Sequence, residues 1–217
     1  MGVILKPEFL KVKRGSELQV TDRDQLYGIL DAGKLVHIGL VEESGLPIVI
    51  PLAYARDNDD LLIHGSTGSR LFRLLAQGNQ LCATVTIVDG IVAARSAFNH
   101  SMNYRSVMIF GTAIELHGAD KNQALEIFTN KLLANRWQEV RPMTKREAAA
   151  TIILRIPLTQ MSGKIRTGGP DGEDAADIAL PIWAGHIPIH ETLGSPIPDT
   201  DLPPSIEIPP SIKNLYE

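Results

Sequence analysis

The segment HGSTGSR at residues 64–70 combines residue types that bind phosphate. Its two glycines permit close approach of the backbone, its three hydroxyl side chains donate hydrogen bonds, and Arg70 offers a bidentate cation. The segment is not the GxxxxGK[ST] loop of nucleoside triphosphatases, and the chain contains no GxGxxG dinucleotide motif. By itself it fits either an ordinary helix start with a surface arginine or a phosphate-binding turn.

A second polar cluster, NYRS at residues 103–106, runs directly into the apolar sequence VMIF. In a β-strand, Tyr104 and Ser106 lie on one face, whereas Arg105 projects from the other face beside Val107 and Ile109. Because an unpaired buried charge is costly, Arg105 requires an anionic partner. That partner is either a carboxylate at a sheet edge or the phosphate of a ligand.

The elements that position these clusters are mostly short β-rich runs. EESG between two such runs indicates a hairpin, and Asp89-Gly90 predicts a turn between two more strands. A strand that leads into a helix through the 64–70 turn would present free backbone N–H groups to a phosphate. The predicted strands are 34–41, 46–54, 61–65, 81–97 with the Asp-Gly turn inside it, 104–116 and 151–167, and the predicted helices are 22–32, 67–77, 121–133 and 145–150. Many strands with few helices and short connections predict a mainly β (α+β) fold, an antiparallel barrel.

The net charge of the chain changes from positive to negative near residue 168. Residues 168–217 hold nine acids and one base, for a charge of −8, whereas residues 1–167 carry +4 from 20 bases and 16 acids. Eight of the 14 prolines also lie at or after Pro181. We therefore predict one barrel domain over 1–167 and an acidic, Pro-rich extension over 168–217 that packs on the barrel or on a partner subunit. The absence of a strongly basic face argues against nucleic-acid binding and fits a small anionic ligand.

The single cysteine, Cys82, excludes a disulfide framework and fits a reducing cytoplasm. The longest apolar runs are far shorter than the roughly 20 residues needed to cross a bilayer. The N-terminal stretch MGVILKPEFLKVKRG matches neither a signal peptide nor a transmembrane helix. The sequence thus predicts a cytoplasmic protein that does not associate with a membrane.

Four segments together, IVIPLAY, HGSTGSR, VTIVDGIVAARSAFNHSMNYRSVMIFG and LPIWAG, resemble the pyridoxamine 5′-phosphate oxidase-like flavin-nucleotide-binding family, especially its nitroimidazole-resistance-type branch. The resemblance spans roughly residues 22–190. It implies a split β-barrel and a homodimer that binds FMN, or FAD in its place, in grooves at the subunit interface. It also implies an oxidoreductase that passes electrons between a small-molecule donor and a small-molecule acceptor.

The resemblance also implies a set of cofactor-binding residues. In chain order these are Pro51, Leu52 and Tyr54 as the wall for the isoalloxazine ring; His64, Gly65 and Ser66 as the turn near its polar edge; Ser69 and Arg70 at the phosphate; Asn103, Tyr104, Arg105 and Ser106 on the strand beside the cofactor; Lys164 and Arg166 as late basic residues; and Trp183 as an aromatic lid.

The sequence departs from the family in one respect and leaves alternatives open. The family's oxidases place an arginine and a histidine–arginine pair after the late tryptophan, but no arginine follows Arg166, so the vitamin B6 phosphate is not the expected substrate. One alternative is a non-catalytic flavin carrier or sensor. Another is a relative that uses deazaflavin or haem, with His64 and His100 as candidate axial ligands. His186 and His190 have metal-ligand spacing, but Pro188 between them disfavours a helix, and no metal site is predicted.

Overall fold

The computed structural model describes residues 7–215; the N-terminal residues 1–6 and residues 216–217 lie outside the described part. Its strands are β1 (Gln19–Val20), β2 (Leu35–Val41), β3 (Pro47–Ala53), β4 (Ala55–Asp57), β5 (Asp60–Ser66), β6 (Leu81–Ala93), β7 (Ser101–Gly111), β8 (Ile114–Glu115), β9 (Thr151–Pro157), β10 (Met161–Arg166) and β11 (Gly185–Pro188). Its helices are α1 (Pro7–Leu10), α2 (Arg23–Ala32), α3 (Arg70–Ala76), α4 (Gly118–Leu132), α5 (Lys145–Ala150), α6 (Ala175–Ile178) and α7 (Pro210–Lys213). None of these helices has the length and apolar character that crossing a bilayer requires.

The strands form two antiparallel sheets, which confirms the mainly β prediction. The larger sheet has the order β1-β10-β7-β6-β2-β3, with β11 added on β6, and the smaller has the order β4-β5-β9-β8. The predicted hairpin is present, since β2 and β3 pair from Leu35 opposite Ala53 to Val41 opposite Pro47. At the start of α2, Asp22 accepts a hydrogen bond from the backbone N–H of Gln25.

The predicted Asp-Gly turn was wrong, because β6 continues through it as one strand of 13 residues. Asp89 instead forms an irregularity in the pairing with β7. A Cβ atom on Gly90 would lie 2.7 Å from the carbonyl oxygen of Ile187 in β11. The glycine therefore permits β11 to approach β6 closely, and it does not reverse the chain.

Two other predicted strands are broken where the chain moves between sheets. The predicted strand 104–116 ends at Gly111, whose φ of +153° favours glycine, and β8 then joins the smaller sheet. The predicted strand 151–167 divides into β9 in the smaller sheet and β10 in the larger one. These corners close the barrel, because each one takes a continuous β-rich sequence from one sheet to the other.

The main core lies between the two sheets and α2. It contains fully buried residues from both sheets, among them Val36, Ile38, Val85, Ile109 and Leu154. Tyr54 also belongs to this core, and its hydroxyl donates a hydrogen bond to the backbone oxygen of Leu30 at 2.5 Å. A smaller cluster on the other side of the four-stranded sheet holds α4 in place through Leu62, Ala124, Leu125, Phe128 and Ile153.

The extension after residue 167 lies along the barrel of its own chain. The backbone N–H and the guanidinium of Arg95 both donate to the Glu173 carboxylate at 2.6 Å. β11 then pairs with the end of β6. Near the C-terminus, the backbone N–H of Ser211 donates to Glu139 at 3.1 Å, and its hydroxyl bonds the same carboxylate. Three separate contacts therefore hold the acidic segment against the basic body.

The packing at Gly65 yields a first prediction. A Cβ atom there would lie 2.3 Å from the ring of Phe72, a buried residue of α3. Gly65→Ala must displace that ring, so it lowers the free energy of unfolding by about 1–3 kcal/mol in urea titration. Gly68→Ala is the matched control, because its Cβ would meet only the Ser66 hydroxyl at 3.5 Å. Equal stability of the two variants would contradict the packing described.

Candidate functional site

The exposed face of the seven-stranded sheet carries several of the predicted ligand residues. Directly opposite residues on paired strands point to the same face. His37 lies opposite Pro51 and Thr84, and Ser106 lies opposite Thr86 and Lys164. We call this surface the outer face; by register and strand alternation it includes His37, Val49, Pro51, Thr84, Thr86, Tyr104, Ser106, Met108 and Lys164.

The outer face mixes apolar and hydroxyl groups with one amine. Val49 is 65% exposed and Met108 is 40% exposed. The Nζ of Lys164 donates to the backbone oxygen of Arg14 at 3.2 Å, and no carboxylate of residues 7–215 forms an ion pair with it. An apolar surface with hydroxyls and an amine suits an aromatic ligand that carries negative charge.

Arg105 projects from the opposite side of β7 and already has an anionic partner. Its guanidinium donates two hydrogen bonds to the Asp89 carboxylate, at 2.8 and 2.7 Å. The hydrogen bonds to Asp89 raise the pKa of Arg105. Of the two partners that the sequence left open, the structure shows the carboxylate, placed at the irregularity in β6. A phosphate at Arg105 would have to displace Asp89.

Arg166 and Asn103 are joined to each other and to the start of the extension. The Arg166 guanidinium donates to Asn103 at 2.8 Å and to Asp171 at 3.0 Å. The Asn103 amide in turn donates to the backbone oxygen of Gly168 at 3.0 Å. Both side chains are buried, so in this chain they connect β7 and β10 to the extension.

The turn at 64–70 is built as the sequence predicts, but its arginine is paired. The Ser66 hydroxyl accepts from the N–H of Gly68 at 3.1 Å, and the Ser66 carbonyl accepts from the N–H of Ser69 at 3.0 Å. α3 begins at Arg70, whose guanidinium lies 3.0 Å from the Glu42 carboxylate. The Arg70 side chain is 63% exposed, so it remains accessible to an anion from solvent.

The two clusters that the sequence singled out do not meet within one chain. Glu42, the partner of Arg70, directly follows β2, whose later half pairs with the start of β6. The start of β6 pairs with the end of β7 near Phe110. Arg105 lies five residues earlier on β7, which is roughly 17 Å away at the usual strand rise. Within one chain the two clusters therefore do not form one compact site.

Three other predicted residues, Leu52, Tyr54 and Trp183, do not contribute to the outer face. Leu52 packs against the main core, and Tyr54 is only 2% exposed within it. This burial leaves no ligand-facing surface on Tyr54, contrary to the role that the resemblance implies. Trp183 is 67% exposed on the loop between α6 and β11, with its ring over Gly185. An exposed tryptophan at this place is available to a ligand or to a second subunit.

A separate pocket of about 310 Å³ lies on the α4 side of the smaller sheet. We call it the His64 pocket; it is lined by His64, Leu125, Thr129, Trp137, Val140, Arg141, Pro142, Met143 and Thr151. The His64 ring meets Phe128 edge-on, with ring centroids 4.3 Å apart. Desolvation lowers the pKa of His64, which favours the neutral imidazole.

Sequence analysis missed most of this pocket. The sequence places His64 in the turn at 64–70 and gives no sign that it lies near Trp137. The available signal was the clustering of Trp137, Pro142 and Met143 between two predicted helices, where a solvated loop would be polar. Strand alternation supplies the rest, because Ile63 faces the main core and its neighbour His64 must face the other way.

Comparisons with known proteins place the chain in a family. The model described as pyridoxamine 5′-phosphate oxidase matches residues 22–165. The FAD- and haem-binding protein from Mycobacterium smegmatis is 36% identical and has a TM-score of 0.88, over 92% of this chain and 97% of that one. A flavocytochrome from Azotobacter vinelandii is also 36% identical and has a TM-score of 0.90, over 96% and 97% of the two chains.

A third solved structure shares the fold alone. It is a protein from Bacteroides thetaiotaomicron provisionally named for 5-nitroimidazole antibiotic resistance, 20% identical with a TM-score of 0.58 over 68% of this chain and 86% of that one. No curated protein sequence matches. The family model covers more than half of the chain, and the two relatives at 36% identity align over nearly all of it. The chain therefore belongs to the pyridoxamine 5′-phosphate oxidase family and has its split-barrel fold.

Proposed function

We propose that this protein binds a flavin nucleotide, FMN or FAD, on the outer face at the interface of a homodimer, and that it passes electrons between a small-molecule donor and acceptor. The observation that carries the proposal is the outer face itself, a surface of apolar and hydroxyl groups with Lys164, which forms no ion pair within residues 7–215. The names of the two relatives at 36% identity, one FAD-binding and one a flavocytochrome, support a flavin.

The outer face and Arg70 offer side chains for the three parts of a flavin nucleotide: the ring, its polar edge and the phosphate. The apolar groups of Val49, Pro51 and Met108 match an aromatic ring, and the hydroxyls of Thr86 and Ser106 match its polar edge. A phosphate requires cations, and the exposed ones are Lys164 and Arg70. A bound flavin supplies hydride and electron transfer, so the protein's contribution is binding, orientation and electrostatics.

Two properties of the chain support a second subunit at the binding site. The outer face exposes large apolar side chains, and the Arg70 and Lys164 regions need a second copy to approach one another. The proposed dimer thus completes the binding site.

A charge on the outer face tests the dimer. Met108→Glu is expected to raise the dimer dissociation constant roughly a hundredfold, because an uncompensated buried charge costs about 3 kcal/mol. Sedimentation equilibrium measures the constant. Ile114→Glu is the matched control, since Ile114 is 43% exposed on the other sheet and its substitution leaves the dimer intact. A monomeric wild-type protein, or equal effects of the two substitutions, contradicts the proposal.

The flavin is tested on the purified protein. Denaturation releases the ligand, and chromatography of the supernatant identifies FMN or FAD. Arg70→Ala and Lys164→Ala are each expected to weaken flavin affinity about ten- to a hundredfold, because a charge-assisted hydrogen bond contributes roughly 1.5–3 kcal/mol. Arg146→Ala, an exposed position on α5, is the matched control and leaves the affinity unchanged.

The same flavin titration tests whether Arg105 binds the phosphate or only the Asp89 carboxylate. If the phosphate binds Arg105, Asp89→Asn strengthens flavin binding and Arg105→Ala weakens it. If Arg105 serves only its ion pair, both variants lower stability and leave affinity unchanged. Absence of flavin in the purified protein, with no FMN or FAD uptake, overturns the proposal. Anaerobic reduction by NADH or NADPH, with reoxidation by a quinone, separates an oxidoreductase from a flavin carrier.

We also propose that the protein binds haem. The observation in favour is that the relatives at 36% identity are named a FAD- and haem-binding protein and a flavocytochrome. The described chain offers an imidazole on an apolar pocket, which is the donor that haem iron requires. An absorption spectrum of the purified protein after addition of haemin tests this part independently of the flavin.

A further inference from the structure

We propose that the loop KVKR at residues 11–14, called here the cationic loop, binds the 2′-phosphate of NADPH, and that the electron donor is NADPH rather than NADH. The inference rests on the flavin part of the proposed function and names the donor for that site. NADPH gives up a hydride and leaves as NADP⁺. The hydride and one proton from solvent reduce the oxidised flavin by two electrons, which the acceptor later takes up.

The cationic loop carries charges that no carboxylate neutralises. Lys11, Lys13 and Arg14 are all exposed, and none of them forms an ion pair within residues 7–215. Glu17, the next acid along the chain, is exposed too and pairs with none of them. The arginines that do pair with a carboxylate are Arg23, Arg56, Arg70, Arg95, Arg105, Arg136, Arg141, Arg155 and Arg166. An anion at the cationic loop therefore need not displace an acidic side chain.

Hydrogen bonds hold the cationic loop against the edge of the larger sheet. The Gln19 side chain accepts from the backbone N–H of Val12 and donates to the carbonyl of Leu10, both at 3.2 Å. The Ser162 hydroxyl in β10 donates to the same carbonyl at 2.6 Å. The loop ends at Gly15, whose φ of +65° turns the chain back toward β1. A backbone fixed in this way lowers the entropic cost of gathering cations around a phosphate.

Lys164 connects the cationic loop to the outer face. Its Nζ donates to the carbonyl of Arg14 at 3.2 Å, and on the sheet it lies opposite Ser106 of β7 and Gln19 of β1. Two strand spacings separate β7 from β1, which is roughly 10 Å. A nicotinamide dinucleotide can therefore place its ring at the proposed flavin site on the outer face while its adenosine end reaches the cationic loop.

The chemistry of the loop distinguishes the two nicotinamide donors. A phosphate monoester carries a charge of about −1.5 to −2 at neutral pH, and a cation beside the ribose is what accommodates the 2′-phosphate in other dinucleotide sites. Arginine can bind such a group through two hydrogen bonds, and lysine binds it as a point charge. NADH has a hydroxyl at this position and gains little from the same cations. A nucleic acid would need a wider basic face, and the net charge of the chain is −4.

Calorimetric titration of the full-length protein with 2′,5′-ADP and with 5′-AMP tests the loop, because these probes differ only in the 2′-phosphate. We expect 2′,5′-ADP to bind about tenfold more tightly, with a preference that falls as salt rises. Lys13→Ala and Arg14→Ala should each weaken 2′,5′-ADP binding about tenfold, because each removes a charge-assisted contact. Glu17→Gln removes the nearby acid and should strengthen it. Lys145→Ala, an exposed position on α5, is the matched control.

Anaerobic reduction of the bound flavin gives a second measurement. We expect a KM for NADPH about tenfold below that for NADH, and Arg14→Ala should raise the KM for NADPH about tenfold. Equal binding of the two adenylates, or the same loss of affinity in Lys145→Ala, overturns the assignment of the loop while the flavin measurements stand. Lower flavin content in Arg14→Ala also overturns it, because the loop then serves the flavin phosphate. If the protein prefers 2′,5′-ADP but takes up no flavin, the loop binds a 2′-phosphate and the donor role fails with the proposed function.

Discussion

The ion pair between Arg105 and Asp89 fixes the middle of the larger sheet. Asp89 occupies the irregularity in β6, and Arg105 reaches it from β7 with two hydrogen bonds. The same irregularity places Gly90 where β11 can approach, and the Asp89 carbonyl accepts a hydrogen bond from the N–H of Ile189. Because these contacts share two consecutive residues, the path of the extension depends on the geometry of this pair.

Ion pairs between arginines and carboxylates limit which cations of the protein can bind an anionic ligand. Arg105, Arg166 and Arg70 each have a carboxylate partner, so their positive charges are compensated before any ligand arrives. A phosphate gains most from a cation that has no such partner, or from one that is exposed enough to exchange it. Lys164 meets the first condition and Arg70 the second, and they lie in regions that one chain keeps apart. The electrostatics therefore support the proposed dimer, as the exposed apolar residues do.

Local sequence predicted the elements whose causes are local. The hairpin of β2 and β3 follows from alternation around EESG, and the helix at 145–150 follows from the capping box of Thr144 and Glu147. The interpretation of Asp89-Gly90 failed because Gly90 serves a strand almost a hundred residues later. Likewise, nothing near Tyr54 reveals that its hydroxyl bonds Leu30 across the core. The partners of Arg105 and Arg166 are likewise set by tertiary packing, which no local sequence pattern encodes.

Strand β5 explains how one barrel can present two separate surfaces. Its alternate residues Leu61 and Ile63 enter the main core beneath the larger sheet, whereas Leu62 and His64 face α4. The main core between them is continuous and apolar, so a side chain on one surface has no direct contact with the other. A change at Lys164 therefore acts on the outer face alone, and a change at His64 acts on the pocket beside Phe128. This separation follows from the two-residue period of a strand.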